Sequence, residues 1–226
     1  MTRLDMLTFL QKVQRRLPAP LAESPALSRW KDEVHATHWI GTRRKTVLEA
    51  AFRACRSDGD LYEFAASFCP AHQIRHEILG FLELARSIRP LTVLEIGTAE
   101  GSANFLLGAA LPEVTLKIGA DLFVRNTRLL RAFCRPTCQQ VFVNGSSYDP
   151  QTVARIRALL GTRRLDLLFI DGDHRYEGAK ADWLSYAPLV RPGGLIAFHD
   201  IVPDHKTDHD AQRAFARSPD QAATAG

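Results

Sequence analysis

The chain has 226 residues, which is enough for one domain with an N-terminal extension but too short for two full enzyme domains. Hydrophobic residues make up 46% of the sequence and charged residues 24%, a globular composition that excludes an intrinsically disordered chain. The net charge of +4 comes from scattered arginines rather than from one basic block, so we expect no nucleic-acid partner.

Residues 1–69 are predicted to form a helical N-terminal extension, or cap. Within residues 2–17, leucine and valine recur at helical spacing among Arg, Lys and Gln, which predicts an amphipathic helix rather than a signal peptide or membrane span. Prolines between residues 18 and 25 mark a linker, and residues 27–56 have a helical, basic pattern. The first helix packs either on the domain or on a second subunit, which leaves a homo-oligomer open.

The four cysteines of the chain do not have the spacing of a zinc site. Cys134 and Cys138 are the closest pair, and they lack the second CxxC or HxxxH half that such a site needs. A chain with reduced thiols and without a membrane segment is predicted to be cytoplasmic.

Residues 70–205 are predicted to form an α/β domain. A helical pattern over residues 72–88 is followed by five short apolar runs with helical stretches between most of them. The runs are Leu91–Ile96, Leu116–Leu122, Gln140–Val143, Leu165–Ile170 and Leu195–Phe198. Alternating strands and helices predict a Rossmann-like, doubly wound, mostly parallel sheet, with residues 191–194 forming the turn before the fifth strand.

A glycine turn follows the first predicted strand. The strand ends at Glu95 and Ile96, and Gly97, Thr98, Gly101 and Ser102 then lead into a helix. Glycines at the carboxyl end of a parallel strand allow a ligand to approach the backbone, so the turn is a candidate cofactor site. Its ExGxxxG pattern lacks the central glycine of the dinucleotide fingerprint GxGxxG, which argues against a nicotinamide cofactor.

Two later strand ends supply further polar groups. Asp121 closes the second run at a distance at which such folds place an acid on ribose hydroxyls, although a helix cap would also suit it. Ser146 follows the third run, where it either borders an adenine ring or forms a turn.

Acids and histidines follow the fourth and fifth strands. Asp171 and Asp200 carry the oxygen ligands that Mg²⁺ prefers, and His174 is suited to act as a general base near neutral pH. An ordinary ion pair or helix cap would use the same residue types.

Three segments together resemble a known family. They are LEIGTAEGS at 94–102, FIDGDHRYEGAKADW at 169–183 and LVRPGGLIAFHDI at 189–201. They are similar to class I S-adenosylmethionine-dependent methyltransferases, in particular to the small-molecule group of antibiotic-sugar O-methyltransferases and cephalosporin-biosynthesis proteins. The resemblance covers residues 70–205.

The resemblance implies that S-adenosylmethionine is held by the 95–101 turn and Asp121. It also implies that Asp171 and Asp200 bind Mg²⁺ in the metal-dependent members, with His174 as the base. His199 stands where relatives place a further acidic ligand, which makes it a candidate weak ligand or a neighbour of one. Gln73 and Glu77 stand where relatives carry a Gln and an acid, so they are candidate contacts or surface residues.

The leading hypothesis is therefore methyl transfer to a hydroxyl of a small-molecule acceptor, with assistance from Mg²⁺ as a further expectation. Domains of this type continue after the fifth strand, whereas the sequence here predicts missing C-terminal strands and a disordered polar tail at 206–226. A truncated, non-catalytic binding or assembly protein is the alternative hypothesis, and a nicotinamide-dependent oxidoreductase is a third.

Overall fold

The structure is a computed structural model that describes residues 24–40, 44–69 and 73–200. The predicted amphipathic helix at 2–17 and the predicted tail at 206–226 lie outside these residues. The prediction of missing C-terminal strands concerns residues 201–226, which also lie outside them. Among the helices that the structure describes, none has the length and apolar character needed to cross a membrane.

The described chain consists of a group of helices followed by alternating strands and helices. The N-terminal helices are α1 (Pro25–Ile40), α2 (Arg44–Ala54), α3 (Asp58–Phe68) and α4 (Arg75–Ser87). The alternating part contains β1 (Thr92–Ile96), α5 (Ser102–Ala109), β2 (Leu116–Asp121), α6 (Thr127–Ala132), β3 (Gln139–Asn144), α7 (Pro150–Leu160), β4 (Leu165–Ile170), α8 (Tyr176–Tyr186), a short 3₁₀ helix (Ala187–Leu189) and β5 (Val190–Phe198).

The five strands form one parallel sheet in the order β3-β2-β1-β4-β5. Every residue of β1 and β4 is buried, because helices cover both faces of the sheet at its centre. The chain leaves β1 in one direction for β2 and β3, and then crosses to the other side for β4 and β5. The predicted Rossmann-like α/β fold is confirmed, and its switch point lies at the carboxyl ends of β1 and β4.

The predicted start of the fifth strand is wrong. β5 begins at Val190, which pairs with Leu165, and the pairing then skips so that Leu195 lies opposite Leu167. Residues 191–194 are therefore an irregularity inside the strand rather than a turn before it. Gly193 adopts a φ of +75°, and the guanidinium of Arg191 is paired with the carboxylate of Asp166, which together hold the extra residues out of the ladder.

Helix α3 lies within the predicted helical extension, but after residue 56 no separate helical pattern was identified in the sequence. It begins with a capping box in which the Ser57 hydroxyl accepts from the backbone of Asp60 and the Asp60 carboxylate accepts from the backbone of Ser57. Its buried face carries Phe64 and Phe68, which belong to the same hydrophobic cluster as Phe105 of α5. The N-terminal helices therefore share a core with one face of the sheet.

Candidate active site

The glycine turn after β1 requires glycine at two positions. Gly97 has a φ of +86°, and a Cβ there would overlap the carbonyl oxygen of Asp171, which follows β4. Gly101 has a φ of +91°, and a Cβ there would overlap the side chain of Leu130. The turn thus combines left-handed backbone, which glycine adopts without strain, with direct contact between the ends of β1 and β4.

Asp121 lies beside this turn at the end of β2. Its Oδ2 accepts from the backbone nitrogen of Ala99 at 2.9 Å, and its Oδ1 accepts from the backbone nitrogen of Phe123 at 3.0 Å. Each carboxylate oxygen keeps a second acceptor site, so the group is oriented and still able to bind hydroxyls. The predicted contact of Asp121 with ribose stays a prediction.

Glu95, Thr98 and Ser102 lie beneath the turn rather than on its surface. Glu95 is 1% exposed, and its Oε2 accepts from Nδ2 of Asn104 at 2.8 Å. Burial raises the pKa of this carboxyl to about 7, even though the hydrogen bond from Asn104 opposes the shift. The side chain of Glu95 therefore supports the turn from inside, while its predicted contact with a cofactor stays a prediction.

Ser146 lies half-buried in the loop after β3, next to Gly145. The backbone nitrogen of Gly145 donates to the carbonyl oxygen of Asp121 at 2.9 Å, so this loop is fixed to the end of β2. The structure thus places Ser146 at the same edge of the sheet as Asp121.

Asp171, His174 and Asp200 converge where β4 and β5 end. One donor atom from each residue lies within 4.8 Å of the others, a separation that a single metal ion can bridge. Nδ1 of His174 lies 3.8 Å from Oδ2 of Asp200, and both side chains are 53% exposed. The cluster therefore opens to solvent at the predicted metal and base site.

A second histidine, His199, lies on the inner side of this cluster. Nδ1 of His199 lies 3.0 Å from Oδ1 of Asp171 and 3.2 Å from Oδ1 of Asp200, between the two acids. Burial raises the pKa of Asp171, while His199 and a hydrogen bond from Gln73 act against that shift. His199 is thus a close neighbour of both predicted metal ligands.

Gln73 connects the two halves of the site. Its Nε2 donates to Oδ2 of Asp171 at 2.7 Å, and its Oε1 accepts from the hydroxyl of Ser102 at 3.2 Å. Gln73 precedes α4 rather than lying in it as predicted, and Glu77 lies exposed in the first turn of that helix. The structure therefore supports a site role for Gln73 and a surface position for Glu77.

Asn126 is a site-supporting residue that the sequence analysis missed. Its Nδ2 donates to the carbonyl oxygen of Glu100 in the glycine turn at 3.0 Å, and its Oδ1 lies 3.0 Å from Nδ1 of His35 in α1. Its φ of +55° is a value that asparagine tolerates better than most residues. Because its partners are distant in sequence, no local pattern could have revealed this role.

Comparison with known proteins agrees with this arrangement. Residues 94–201 match the family model of a methyltransferase domain, and this range contains every predicted site residue from Glu95 to Asp200. The predicted resemblance to class I methyltransferases is confirmed. The matched range begins within β1, after the N-terminal helices.

Two solved structures and one curated relative illustrate the likeness. MycE, a methyltransferase of mycinamycin biosynthesis solved with Mg and SAH, is 20% identical with a TM-score of 0.51, covering 65% of this chain and 40% of MycE. An O-methyltransferase from Bacillus cereus solved with SAH is 18% identical with a TM-score of 0.51, covering 77% of this chain and 86% of that one. The uncharacterized protein y4gI of Sinorhizobium fredii is 26% identical over 178 residues, covering 72% of this chain.

The chain matches only part of the length of two of these relatives. The chain spans only 19% of the length of y4gI and 40% of the length of MycE. At these identities the structural matches establish the shared fold.

Proposed function

We propose that this chain transfers a methyl group from S-adenosylmethionine to a hydroxyl oxygen of a small molecule. The observation that carries the proposal is the meeting of two features at one edge of the sheet. The glycine turn with Asp121 and the cluster of Asp171, His174 and Asp200 lie on adjacent strand ends, and Gly97 is in backbone contact with Asp171. A cofactor in the turn would therefore lie next to the groups that activate an acceptor.

The turn and its neighbours would bind the cofactor. Gly97 and Gly101 allow close approach to the backbone, Asp121 accepts hydrogen bonds from ribose hydroxyls, and Ser146 borders the adenine. When bound, S-adenosylmethionine supplies an electrophilic methyl group on its sulfonium. MycE and the Bacillus cereus enzyme were both solved with SAH, which supports this choice of cofactor.

Asp171 and Asp200 would hold Mg²⁺. In the part of the chain that the structure describes, the ion-pair partners of these two carboxylates are histidines rather than lysine or arginine. A pair of converging carboxylates without a permanent cation suits a hard metal ion, which here would supply positive charge that stabilises an oxyanion. The MycE structure contains Mg, in agreement with this assignment.

His174 would take the proton from the acceptor hydroxyl. Its imidazole is exposed on the outer side of the cluster, where an acceptor can reach it, and its Nδ1 lies 3.8 Å from Oδ2 of Asp200. Gln73 and His199 hold Asp171 in place during the reaction. Positioning of the acceptor against the methyl group supplies the remaining part of the rate enhancement.

The test is isothermal titration of the folded protein with S-adenosylhomocysteine, with and without Mg²⁺. We expect saturable binding of S-adenosylhomocysteine and no binding of NADH, because the turn lacks the central glycine that a pyrophosphate needs. If the folded protein does not bind S-adenosylhomocysteine, the proposal is contradicted and the non-catalytic binding or assembly alternative is favoured. The methyltransferase likeness already weighs against that alternative.

Matched variants separate the roles of the site residues. We expect Asp171→Asn to remove the Mg²⁺ effect in the titration and His174→Ala to lower methyl transfer to a screened acceptor by about 100-fold or more. Both variants keep the affinity for S-adenosylhomocysteine, since neither residue lies in the turn. Glu177→Gln, at an exposed side chain, is the control. If the two site variants lose affinity for S-adenosylhomocysteine as well as activity, this division of roles is contradicted.

A further inference from the structure

Two cysteines form a close pair in the segment between α6 and β3. Sγ of Cys134 lies 3.4 Å from the carbonyl oxygen of Cys138, and the backbone nitrogen of Cys138 donates to the carbonyl oxygen of Arg135 at 3.0 Å. The chain therefore turns back on itself between the two residues. Both are free thiols, with Cys134 half-buried and Cys138 buried.

Positive charge surrounds this pair. Lys117 of β2 is 2% exposed, and its Nζ donates to the carbonyl oxygen of Asn104 at 2.6 Å. Burial lowers the pKa of Lys117, and the two neighbouring thiols act against that shift because a thiolate stabilises the ammonium form. Arg135 provides a second cation in the turn between the cysteines.

The two thiols therefore differ in pKa. The hydrogen bond from Cys138, together with Lys117 and Arg135, lowers the pKa of Cys134 to about 6 against the effect of burial. The pKa of Cys138 is raised by the same hydrogen bond and by burial. Cys134, which is also the more exposed of the two, is therefore the nucleophile of the pair.

The remaining cysteines lack this environment. Burial raises the pKa of Cys55, which lies after α2 beside the carboxylate of Asp60. Cys69 is buried and donates to the carbonyl oxygen of Glu100 at 2.6 Å. Lys117 and Arg135 act on both thiols of the Cys134–Cys138 pair, which therefore combines two neighbouring thiols with two cations.

We propose that Cys134 and Cys138 form a dithiol site that reacts with hydrogen peroxide and closes to an internal disulfide. The Cys134 thiolate attacks one peroxide oxygen, so that an S–O bond forms, the O–O bond breaks and the leaving hydroxide becomes water on protonation. Cys138 then attacks the sulfenic sulfur, an S–S bond forms, and the departing hydroxide takes the Cys138 proton. The two thiols lose two electrons in total, and one peroxide is reduced to two waters.

This proposal does not depend on methyl transfer, because none of the residues in the dithiol site belongs to the candidate active site. The disulfide would close a very short loop, so its effect on the free energy of unfolding is small. A chemical readout is therefore more decisive than a thermal one.

The experiment treats the reduced full-length chain with peroxide, alkylates the remaining thiols and digests with trypsin. Because Pro136 follows Arg135, trypsin leaves both cysteines in one peptide, residues 132–155. We expect this peptide to appear unalkylated and lighter by two hydrogen atoms, at least about tenfold faster than Cys55 is oxidised. Retention of both thiols under conditions that oxidise Cys55 would overturn the proposal. Oxidation of the pair no faster than that of Cys55, or sulfinic acid formation without a disulfide, would overturn it as well.

Variants and a bridging reagent complete the test. Cys138→Ser should leave a sulfenic acid on Cys134 that dimedone traps, Cys134→Ser should prevent the disulfide, and Cys55→Ser should change neither result. Phenylarsine oxide, which binds two adjacent thiols, should attach once to the 132–155 region of the unaltered chain and be released by ethanedithiol. Failure of this reagent to bridge the pair would overturn the proposal without relying on any variant.

Discussion

Glu95 stands in the glycine motif at a position where a cofactor contact was predicted, yet its carboxyl group is buried under the turn. Its neighbours there are the side chain of Asn104 and, farther away, the buried ammonium of Lys117. A polar group in such a place stabilises the turn only while its hydrogen bonds are made, because burial penalises its charged form. The residue thus links the chemistry of the turn to the stability of the fold.

The raised pKa of Glu95 makes the free energy of unfolding depend on pH. Its carboxyl has a pKa near 4.5 when unfolded and about 7 when folded, so the native state binds more protons between these values. The stabilising contribution is complete below pH 4.5 and is lost as the pH rises to about 7. Glutamine does not ionise, so Glu95→Gln should not lose stability in this way. We expect the free energy of unfolding of Glu95→Gln, relative to that of the unaltered chain, to increase by up to about 3 kcal/mol between pH 4.5 and about 7.

Urea unfolding at a series of pH values measures this difference. Glu83→Gln is the matched control, since Glu83 lies exposed on α4. A difference between Glu95→Gln and the unaltered chain that stays constant with pH would show that the Glu95 carboxyl ionises normally in the folded state.

The helices and strands that could be predicted from the sequence are those that a local residue pattern identifies. The apolar runs identified all five strands, and the 94–102 and 169–183 motifs identified two strand ends, because hydrophobic runs and glycine turns leave local signals. Helix α3 was missed because its Asp-Gly-Asp start resembles a loop, although the Ser57–Asp60 capping box was present as a signal. The early start of β5 was missed because its Pro-Gly-Gly segment is typical of a turn.

The parts of the candidate site that could not be predicted depend on contacts between distant segments. Gln73 joins Asp171 to Ser102, and Asn126 joins α1 to the glycine turn, each across many residues of sequence. Such contacts exist only once the sheet has brought the strand ends together. Residue type, spacing and the resemblance therefore found the candidate ligands and Gln73, but neither the two partners of Gln73 nor the role of Asn126.

Asp166 joins three strands at the amino-terminal edge of the sheet. Its Oδ2 accepts from the backbone nitrogens of Leu91 at 2.9 Å and Thr92 at 2.8 Å, and its Oδ1 is paired with Nε of Arg191. We expect Asp166→Ala to lower the free energy of unfolding by about 3 kcal/mol, because it leaves a partly buried guanidinium and two backbone donors without their acceptor. Urea unfolding followed by circular dichroism measures this loss.

The control for Asp166 is an ion pair on the surface. Lys45 lies 3.6 Å from Glu49 on α2, and both side chains are substantially exposed, so Lys45→Ala should cost less than about 1 kcal/mol. Comparable losses for the two variants would show that the bonds of Asp166 to β1 and β5 contribute no more than a solvated pair.

For the whole molecule, the decisive feature is the aromatic cluster between the predicted cap and the predicted domain. The boundary after residue 69 stays a prediction, but Phe64 of α3 lies 5.6 Å from Phe105 of α5 and 5.2 Å from Phe133 beyond α6, measured between ring centroids. Phe52 of α2 joins the same cluster at 5.3 Å from Phe64. Contacts of this kind couple the unfolding of the helices to that of the sheet.

We therefore expect the described helices and the sheet to unfold as one cooperative unit. Phe64 is 6% exposed, so Phe64→Ala should cost about 3–5 kcal/mol while keeping a single transition in urea. Hydrogen exchange should accelerate in β1 and β4 as well as in α2 and α3, since the lost packing destabilises both sides of the cluster. Val47→Ala, at a side chain that is 68% exposed on α2, should change stability by no more than about 0.5 kcal/mol. Faster exchange confined to residues 44–69 would instead show that the cap opens independently of the sheet, in which case the predicted boundary marks a true domain border.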